Sequence, residues 1–367
     1  MRLKRIVLRA SGAILLVLVA AGLVAYVTST NDCERLAATG GDTMKAVVHC
    51  DYGGPEVLRL ETIAKPACAD DQVLIRVRAA SINPLEWHFM RGTPYIGRLM
   101  GMGLRKPRVT RLGVDVAGTV EAAGRSVTLF KPGDEVFGSA RGALAEYACS
   151  PERGLVAKPD GLTFVQAAAV PVAAVTALQG LRDKGKVGPG QRVLINGASG
   201  GVGTFAVQIA KSMGADVTGV CSTRNVDMVR SIGADRVIDY TKEDFTKDAA
   251  RYDVILDMVG SHSLLASRRV LKPDGIYVLV GGSNGRWFAP LDRAVGAKVL
   301  SWFVSQRMGM MMAELRKDDL GVLRDLLQSG KVKPVIDRTY PLSQVPEAIR
   351  YLETGHARGK VVIVVGE

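Results

Sequence analysis

The chain has 367 residues, of which 47% are hydrophobic and 23% are charged, and its net charge is +12. This length exceeds one ordinary core and the composition excludes a disordered chain, so we expect two domains and an extra segment. No zinc finger, helix-turn-helix signal or aromatic-studded basic stripe accompanies the positive charge, and nucleic acid is therefore excluded as a partner.

An uncharged, mostly apolar run near the N-terminus, Ala10–Val27, follows a basic segment. As a helix it would span about 27 Å, close to the ~30 Å hydrocarbon core of a bilayer. It is longer than the apolar part of a usual signal peptide and no clear cleavage site follows it. We therefore favour a single-pass membrane anchor over residues 1–30 to a signal peptide or a buried helix, and a linker over residues 31–43.

The chain from Met44 to about Gly161 is rich in short alternating apolar segments separated by glycine and proline turns. This pattern is typical of a small, partly open β-barrel, which we place at residues 44–165. The predicted strands are Met44–Cys50, Val57–Glu61, Gln72–Ser81 and Gly113–Ala122.

A different rhythm begins with a helical stretch predicted at Thr163–Lys184. Apolar strands and helices then alternate, which predicts a parallel, doubly wound sheet over residues 166–309. The last segments resemble the β-rich part again, so residues 310–367 are expected to complete the first domain.

A glycine-rich loop joins the predicted strand Arg192–Asn196 to a helix. This strand–loop–helix context indicates a dinucleotide site, because glycines let the backbone approach a pyrophosphate at the helix N-terminus. Ala198 replaces one glycine of the strict pattern. The residues assigned to the loop site are Ser199, Gly200, Gly201, Val202 and Gly203.

The end of the next strand indicates which dinucleotide binds. NAD sites place an acidic residue there, whereas this chain has Ser222 and Arg224. A guanidinium pairs with a 2′-phosphate, so we predict NADPH as the cofactor. The supply of this cofactor favours the cytoplasmic face for the catalytic part, although the positive-inside rule would send it across the membrane.

The five cysteines are scattered and form no CxxC pair. This spacing predicts neither a disulfide framework nor a zinc cage. Cys50, Cys149 and Cys221 lie in apolar or strand-like surroundings, and we interpret them as packing residues.

Four segments in order resemble the medium-chain dehydrogenase/reductase superfamily, within it the zinc-free quinone oxidoreductase branch. They are KPGDEVF (Lys131–Phe137), ALAEY (Ala143–Tyr147), GASGGVGTFAVQIAK (Gly197–Lys211) and GKVVI (Gly359–Ile363). The resemblance covers Met44–Val365 and implies an α/β protein with a GroES-like barrel, a Rossmann domain and the cofactor in the cleft between them.

The resemblance also implies individual roles. Asn83 would face the nicotinamide ribose, Thr176 the nicotinamide, and Lys360 the pyrophosphate. Arg224 and Tyr240 would lie near the adenosine phosphate, and Gly281 is assigned to the same cofactor site. Zinc-containing relatives have metal ligands where this chain has Asn83, Val114 and Val172, so no metal is expected.

Without a metal, hydride transfer favours an acceptor that spreads the incoming charge over its own oxygen. We predict an enzyme that reduces a small lipophilic quinone, enone or similar conjugated carbonyl. Asn83, His88 and Tyr95 are the candidate catalytic residues, and Glu86 is a further candidate for proton delivery. A metal-free alcohol or aldehyde reductase and a membrane-bound NADPH-sensing adaptor are the alternatives, and a homodimer is left open.

Overall fold

The N-terminal part of the structure corrects the membrane assignment. The computed structural model describes residues 22–24, 26–27, 29–36, 41–282 and 285–366, so most of the predicted anchor lies outside the described residues. Within the described ranges no helix is long and apolar enough to cross a bilayer. The predicted transmembrane helix and single-pass membrane localisation are therefore wrong.

The predicted linker is fastened to the barrel where the structure describes it. A short helix, α1 (Cys33–Leu36), lies there. Asn31 Nδ2 donates to the Cys50 carbonyl at 2.7 Å, and Thr110 Oγ1 donates to Asp32 Oδ1 at 2.6 Å.

The chain from residue 43 to 157 is mostly β, as predicted. A helix, α2 (Pro84–Arg91), follows the third strand directly. The strands are β1 (Thr43–Val48), β2 (Arg59–Ala64), β3 (Gln72–Ile82), β4 (Asp115–Ala123), β5 (Glu135–Ser139), β6 (Tyr147–Pro151) and β7 (Leu155–Ala157).

Helices and parallel strands alternate after residue 163, which confirms the predicted Rossmann architecture. The helices are α3 (Phe164–Ala168), α4 (Pro171–Gln179), α5 (Gly201–Ser212), α6 (Val226–Ser231), α7 (Leu264–Arg269), α8 (Leu291–Leu300) and α9 (Lys317–Gln328). The strands are β8 (Arg192–Asn196), β9 (Asp216–Cys221), β10 (Arg236–Asp239), β11 (Tyr252–Asp257), β12 (Leu271–Leu279) and β13 (Arg307–Met310). The last elements are β14 (Ile336–Pro341), α10 (Val345–Glu353) and β15 (Lys360–Val364).

The sheet topology places a cleft at the carboxyl ends of the parallel strands. The parallel sheet has the order β10-β9-β8-β11-β12-β13, so the chain leaves β8 and β11 in opposite directions across the sheet. Such a switch point is where open α/β sheets bind ligands. The barrel sheet has the order β14-β15-β3-β4-β5-β7, with β6 paired to β3, so the C-terminal strand β15 lies beside β3.

The predicted single helix over Thr163–Lys184 is interrupted. A Thr163–Gln166 capping box begins α3, and a new helix begins at Pro171, because proline cannot supply the N–H that a continuous helix needs. Nearly every residue of α4 is buried, so this helix fills the core beside α5.

Two disulfides overturn the interpretation of Cys50 and Cys149 as packing residues. Cys33 bonds Cys50, and Cys68 bonds Cys149. The partners lie 17 and 81 residues apart, so only the folded chain brings them together. Cys221 is free and buried, as expected for a packing residue.

The disulfides predict the outcome of a thiol titration. Unfolded protein that has not been reduced should expose one reactive thiol, Cys221, whereas reduced protein should expose all five. Replacing Cys68 and Cys149 together with alanine should lower the free energy of unfolding by about 2–4 kcal/mol, because the closed loop restricts the unfolded chain. Five reactive thiols before reduction would show that neither bond forms.

Candidate active site

The glycine loop between β8 and α5 has the shape of a phosphate-binding turn. A Cβ added at Gly203 would lie 2.0 Å from the Gly197 carbonyl oxygen, so only glycine lets α5 pack on the loop. A Cβ added at Gly200 would meet only that same oxygen, at 3.5 Å. The space above Gly200 is therefore open to a ligand at the N-terminus of α5, where backbone N–H groups favour an anion.

Asn225, which was not predicted as a site residue, connects the end of β9 to this loop by hydrogen bonds. Asn225 is buried, and its Nδ2 donates to the hydroxyls of Ser199 and Ser222, each at 3.1 Å. Arg224 is exposed and donates to the His356 carbonyl at 2.7 Å, and Tyr240 is also exposed. No acidic residue occupies the position after β9, where one would hold a ribose 2′-OH.

A buried polar cluster lies where β3 ends and where β4 and β15 begin. Lys360 Nζ donates to Asn83 Oδ1 and lies 3.4 Å from Asp115 Oδ2. The same carboxylate oxygen accepts from Ser81 Oγ at 2.6 Å and from Asn83 Nδ2 at 3.0 Å. All four side chains are buried, so the ammonium and carboxylate charges balance each other away from water.

The cluster is tied to both the helix and the loop of the Rossmann domain. Asp115 Oδ1 accepts the N–H of Val172, in the first turn of α4. The buried Thr176 lies one turn later in this helix, and its hydroxyl donates to the Val172 carbonyl. The N–H of Gly359, next to Lys360, donates to the Ser199 carbonyl at 2.9 Å. The predicted residues Asn83, Thr176, Ser199 and Lys360 are thus joined by a chain of hydrogen bonds and neighbouring residues.

Gly281 lies at the carboxyl edge of the parallel sheet, two residues beyond β12. A Cβ there would lie 2.3 Å from the Met258 carbonyl oxygen, so this position requires glycine for the close approach of two loops.

The residues at the zinc positions of related enzymes do not fit a zinc ion. Val114 and Val172 offer no side-chain ligand, and Asn83 Oδ1 is already bound by the Lys360 ammonium, which would repel a cation. Among the described residues no three His, Cys, Asp or Glu side chains are arranged to hold a metal.

A cavity of about 630 Å³ lies between α2 and the segment after Gly281. Its lining does not include the cluster side chains, but α2, which contributes to the lining, begins directly after Asn83. The cavity walls include His88 and Tyr95, two of the three candidate catalytic residues. Gly92, in the left-handed conformation at the end of α2, lets Tyr52 and Arg98 pack closely, since a Cβ would lie 2.6 Å from the Tyr52 ring.

His88 and Tyr95 differ in whether they can donate a proton. His88 Nδ1 lies 2.9 Å from the Thr93 carbonyl, and because a carbonyl only accepts, this nitrogen carries the hydrogen. Burial lowers the pKa of His88, so the ring is neutral and its other nitrogen is an acceptor. Tyr52 directs its hydroxyl to the Met102 and Gly103 carbonyls, whereas the Tyr95 hydroxyl has no partner among the described residues.

Glu86 is a buried carboxyl at the first turn of α2. Its Oε2 accepts the Asn83 N–H at 2.7 Å, while Oε1 has no partner in the described structure. Burial, together with the charge of Asp115, raises the pKa of Glu86 to about 7. The Asn83 N–H and the Lys360 charge oppose this rise without cancelling it.

This raised pKa predicts how stability depends on pH. A carboxyl whose pKa is higher in the folded state stabilises the fold while it is neutral, and this contribution is lost as the pH rises towards about 7 and beyond. Between about pH 4 and pH 8, wild type should lose about 3 kcal/mol of unfolding free energy relative to Glu86→Gln, whose side chain stays neutral. Urea unfolding across this range measures the difference.

The exposed Glu347 in α10 supplies the matched control for this measurement. Glu347→Gln should keep the wild-type pH dependence. If Glu86→Gln also keeps it, Glu86 is ionised in the fold at neutral pH and the predicted rise in its pKa is wrong.

Comparisons with known proteins agree with this geometry. Residues 232–363 match the zinc-binding dehydrogenase family, and residues 69–160 match the alcohol dehydrogenase GroES-like domain. The 2-methylene-furan-3-one reductase of Solanum lycopersicum is 38% identical over 336 residues, covering 87% of this chain and 79% of the relative. The NADPH-dependent alkenal/one oxidoreductase of Arabidopsis thaliana is 36% identical over the same shares of the two chains.

A solved structure shares the whole architecture. The quinone oxidoreductase from Coxiella burnetii superposes with a TM-score of 0.79 at 32% identity, covering 89% of this chain and 100% of that one. The resemblance to the medium-chain dehydrogenase/reductase superfamily is thereby confirmed. The chain belongs to the medium-chain dehydrogenase/reductase superfamily and is an NAD(P)H-dependent oxidoreductase.

Proposed function

We propose that this enzyme uses NADPH to reduce the conjugated double bond of an enone or enal, or a quinone, without a metal ion. The observation that carries the proposal is the buried Lys360–Asn83–Asp115 cluster, which fills the zinc position with an ammonium group. Two relatives are named for reduction of a methylene-furanone and of alkenals or enones, and a structural relative is named for quinones.

The cofactor would lie along the carboxyl edge of the parallel sheet. The N–H groups at the start of α5 and the open space at Gly200 suit its pyrophosphate, and Ser222 and Arg224 suit a 2′-phosphate. Asn83 and Thr176 suit the nicotinamide end, since the cluster links them to the glycine loop. A nicotinamide cofactor bound there supplies a hydride.

The proposed type of acceptor follows from the lack of a strong electrophile among the described residues of the cluster. A saturated ketone needs a strong electrophile to polarise its oxygen, which zinc supplies in metal-dependent relatives. Here the charge of Lys360 is balanced by Asp115, and its Nζ already donates to Asn83. A conjugated acceptor delocalises the incoming charge over its own atoms and so depends less on the protein.

Proton delivery is assigned to Tyr95 rather than to His88. The Tyr95 hydroxyl lies on the cavity wall without a described partner and can donate a proton directly or through water. His88 is neutral, so it can orient a water or accept a proton but has none to give from its free nitrogen.

The glycine loop predicts a contrast between two substitutions. Gly200 has an extended backbone, with φ of −82°, and room for a methyl group, so Gly200→Ala should fold normally. The methyl group would occupy the space of the pyrophosphate, and the Kd for NADPH should rise at least about tenfold.

Gly203→Ala should instead lower the free energy of unfolding by about 1–3 kcal/mol, because its Cβ would clash with the Gly197 carbonyl. Fluorescence titration with NADPH and thermal unfolding separate the two effects. Unchanged NADPH binding by Gly200→Ala would place the pyrophosphate elsewhere.

The proposed activity is tested by following NADPH oxidation at 340 nm with matched acceptors. A methyl alkenyl ketone, the corresponding saturated ketone, and a benzoquinone form the set. We expect kcat/KM for the conjugated acceptors to exceed that for the saturated ketone at least about a hundredfold, and NADPH to be preferred to NADH. Faster reduction of the saturated ketone would identify an ordinary carbonyl reductase, and no turnover of any acceptor would contradict the proposal.

A further inference from the structure

The cavity lined by α2, the helix that begins directly after Asn83, has more positive than negative charge. Its lining contains three arginines, Arg91, Arg98 and Arg286, and one carboxylate, Glu353. His88, the remaining titratable side chain other than the tyrosines of this lining, is neutral because burial lowers its pKa. Within the described residues, two guanidinium charges of the wall therefore lack a matching acid in the wall.

Glu353 is already committed to one of these arginines. Arg91 forms a two-pronged ion pair with it, through Nε to Oε1 and through Nη2 to Oε2 at 2.8 Å. In this paired geometry both oxygens of the Glu353 carboxylate accept from Arg91, and the two side chains are fixed where α2 and α10 meet. The pair neutralises Arg91 and leaves Arg98 and Arg286 as the uncompensated charges.

Arg98 is held rigidly without being neutralised. Its Nε donates to the Gly92 carbonyl at 2.9 Å and its Nη2 to the Arg91 carbonyl at 3.1 Å. The guanidinium lies over the rings of Tyr52 and Tyr95, 4.2 Å and 5.0 Å from their centroids. Carbonyl groups and aromatic faces orient the guanidinium, but neither carries the negative charge that would neutralise it.

Arg286 reaches the same cavity from the Rossmann side. Its carbonyl accepts the Tyr95 N–H at 2.8 Å, and the neighbouring Trp287 ring contacts Tyr95 edge-on at 5.1 Å, so the backbone is anchored. No described residue bonds its guanidinium, which is exposed. The cavity thus places a fixed cation and a free cation around the candidate proton donor, Tyr95.

We propose that the substrate is a conjugated carbonyl compound with a carboxylate at its far end, and that Arg286, assisted by Arg98, binds this carboxylate. The inference rests on the proposed function and specifies its substrate class. The aromatic walls formed by Tyr52, Trp87 and Tyr95 suit an apolar chain between the two polar ends. An arginine fork binds a carboxylate with two parallel hydrogen bonds, which gives direction as well as charge.

The test compares two substrates that share one carbon chain and differ in the charge at its far end: a methyl enone ending in a carboxylate, and the methyl ester of that compound. Wild type should reduce the carboxylate with a kcat/KM at least about tenfold higher than that of the ester, mainly through a lower KM. Arg286→Gln should reduce this ratio to within about twofold, mainly by raising the KM for the carboxylate. Arg286→Lys should restore part of the preference.

Arg324→Gln, in α9 and outside the cavity lining, is the matched control and should keep the wild-type ratio. Equal kcat/KM values for carboxylate and ester in wild type, or a preference that survives Arg286→Gln, would overturn the inference while leaving the proposed function intact. Reduction of the benzoquinone but of neither enone would also overturn the inference, whereas no turnover of any acceptor would show that the proposed function itself is wrong.

Discussion

The contact between the start of β15 and the glycine loop holds the two domains in register at the site. Gly359 donates its N–H to the Ser199 carbonyl, and with φ of +99° it adopts a conformation that glycine favours. A Cβ there would also lie 2.3 Å from the Val335 carbonyl oxygen. This glycine therefore fixes Lys360, the next residue, between the nucleotide loop of one domain and the polar cluster of the other.

The electrostatics of the cluster follow from that placement. A buried ammonium is stable only beside an opposite charge and hydrogen-bond acceptors, which Asp115 and Asn83 provide. One ammonium balances one carboxylate, so no cation remains for Glu86, and burial keeps that carboxyl neutral at moderate pH. The proposal of a conjugated acceptor rests on this arrangement, because the described cluster offers no uncompensated positive charge to polarise a substrate oxygen.

The elements that the sequence predicted correctly lie in continuous stretches of chain. The strand before Gly197, the helix after Gly200 and the clash-limited position at Gly203 follow from local spacing and backbone geometry. Asp115 and Asn225 were not identified, because an acid inside a strand and an asparagine after one acquire their roles only from distant partners.

The missed disulfides have the same physical origin. The pairings Cys33–Cys50 and Cys68–Cys149 depend on how loops and strands fold, and cysteine spacing alone does not encode them. An apolar N-terminal run indicated a membrane span, but no described helix has the required length.

The most direct test of the metal-free site is enone-dependent NADPH oxidation by protein stripped of metal by chelation, with zinc content determined on the same sample. We expect full turnover at a zinc content far below one ion per chain; activity that is lost on chelation and restored by one equivalent of zinc would contradict a metal-free site built around Lys360.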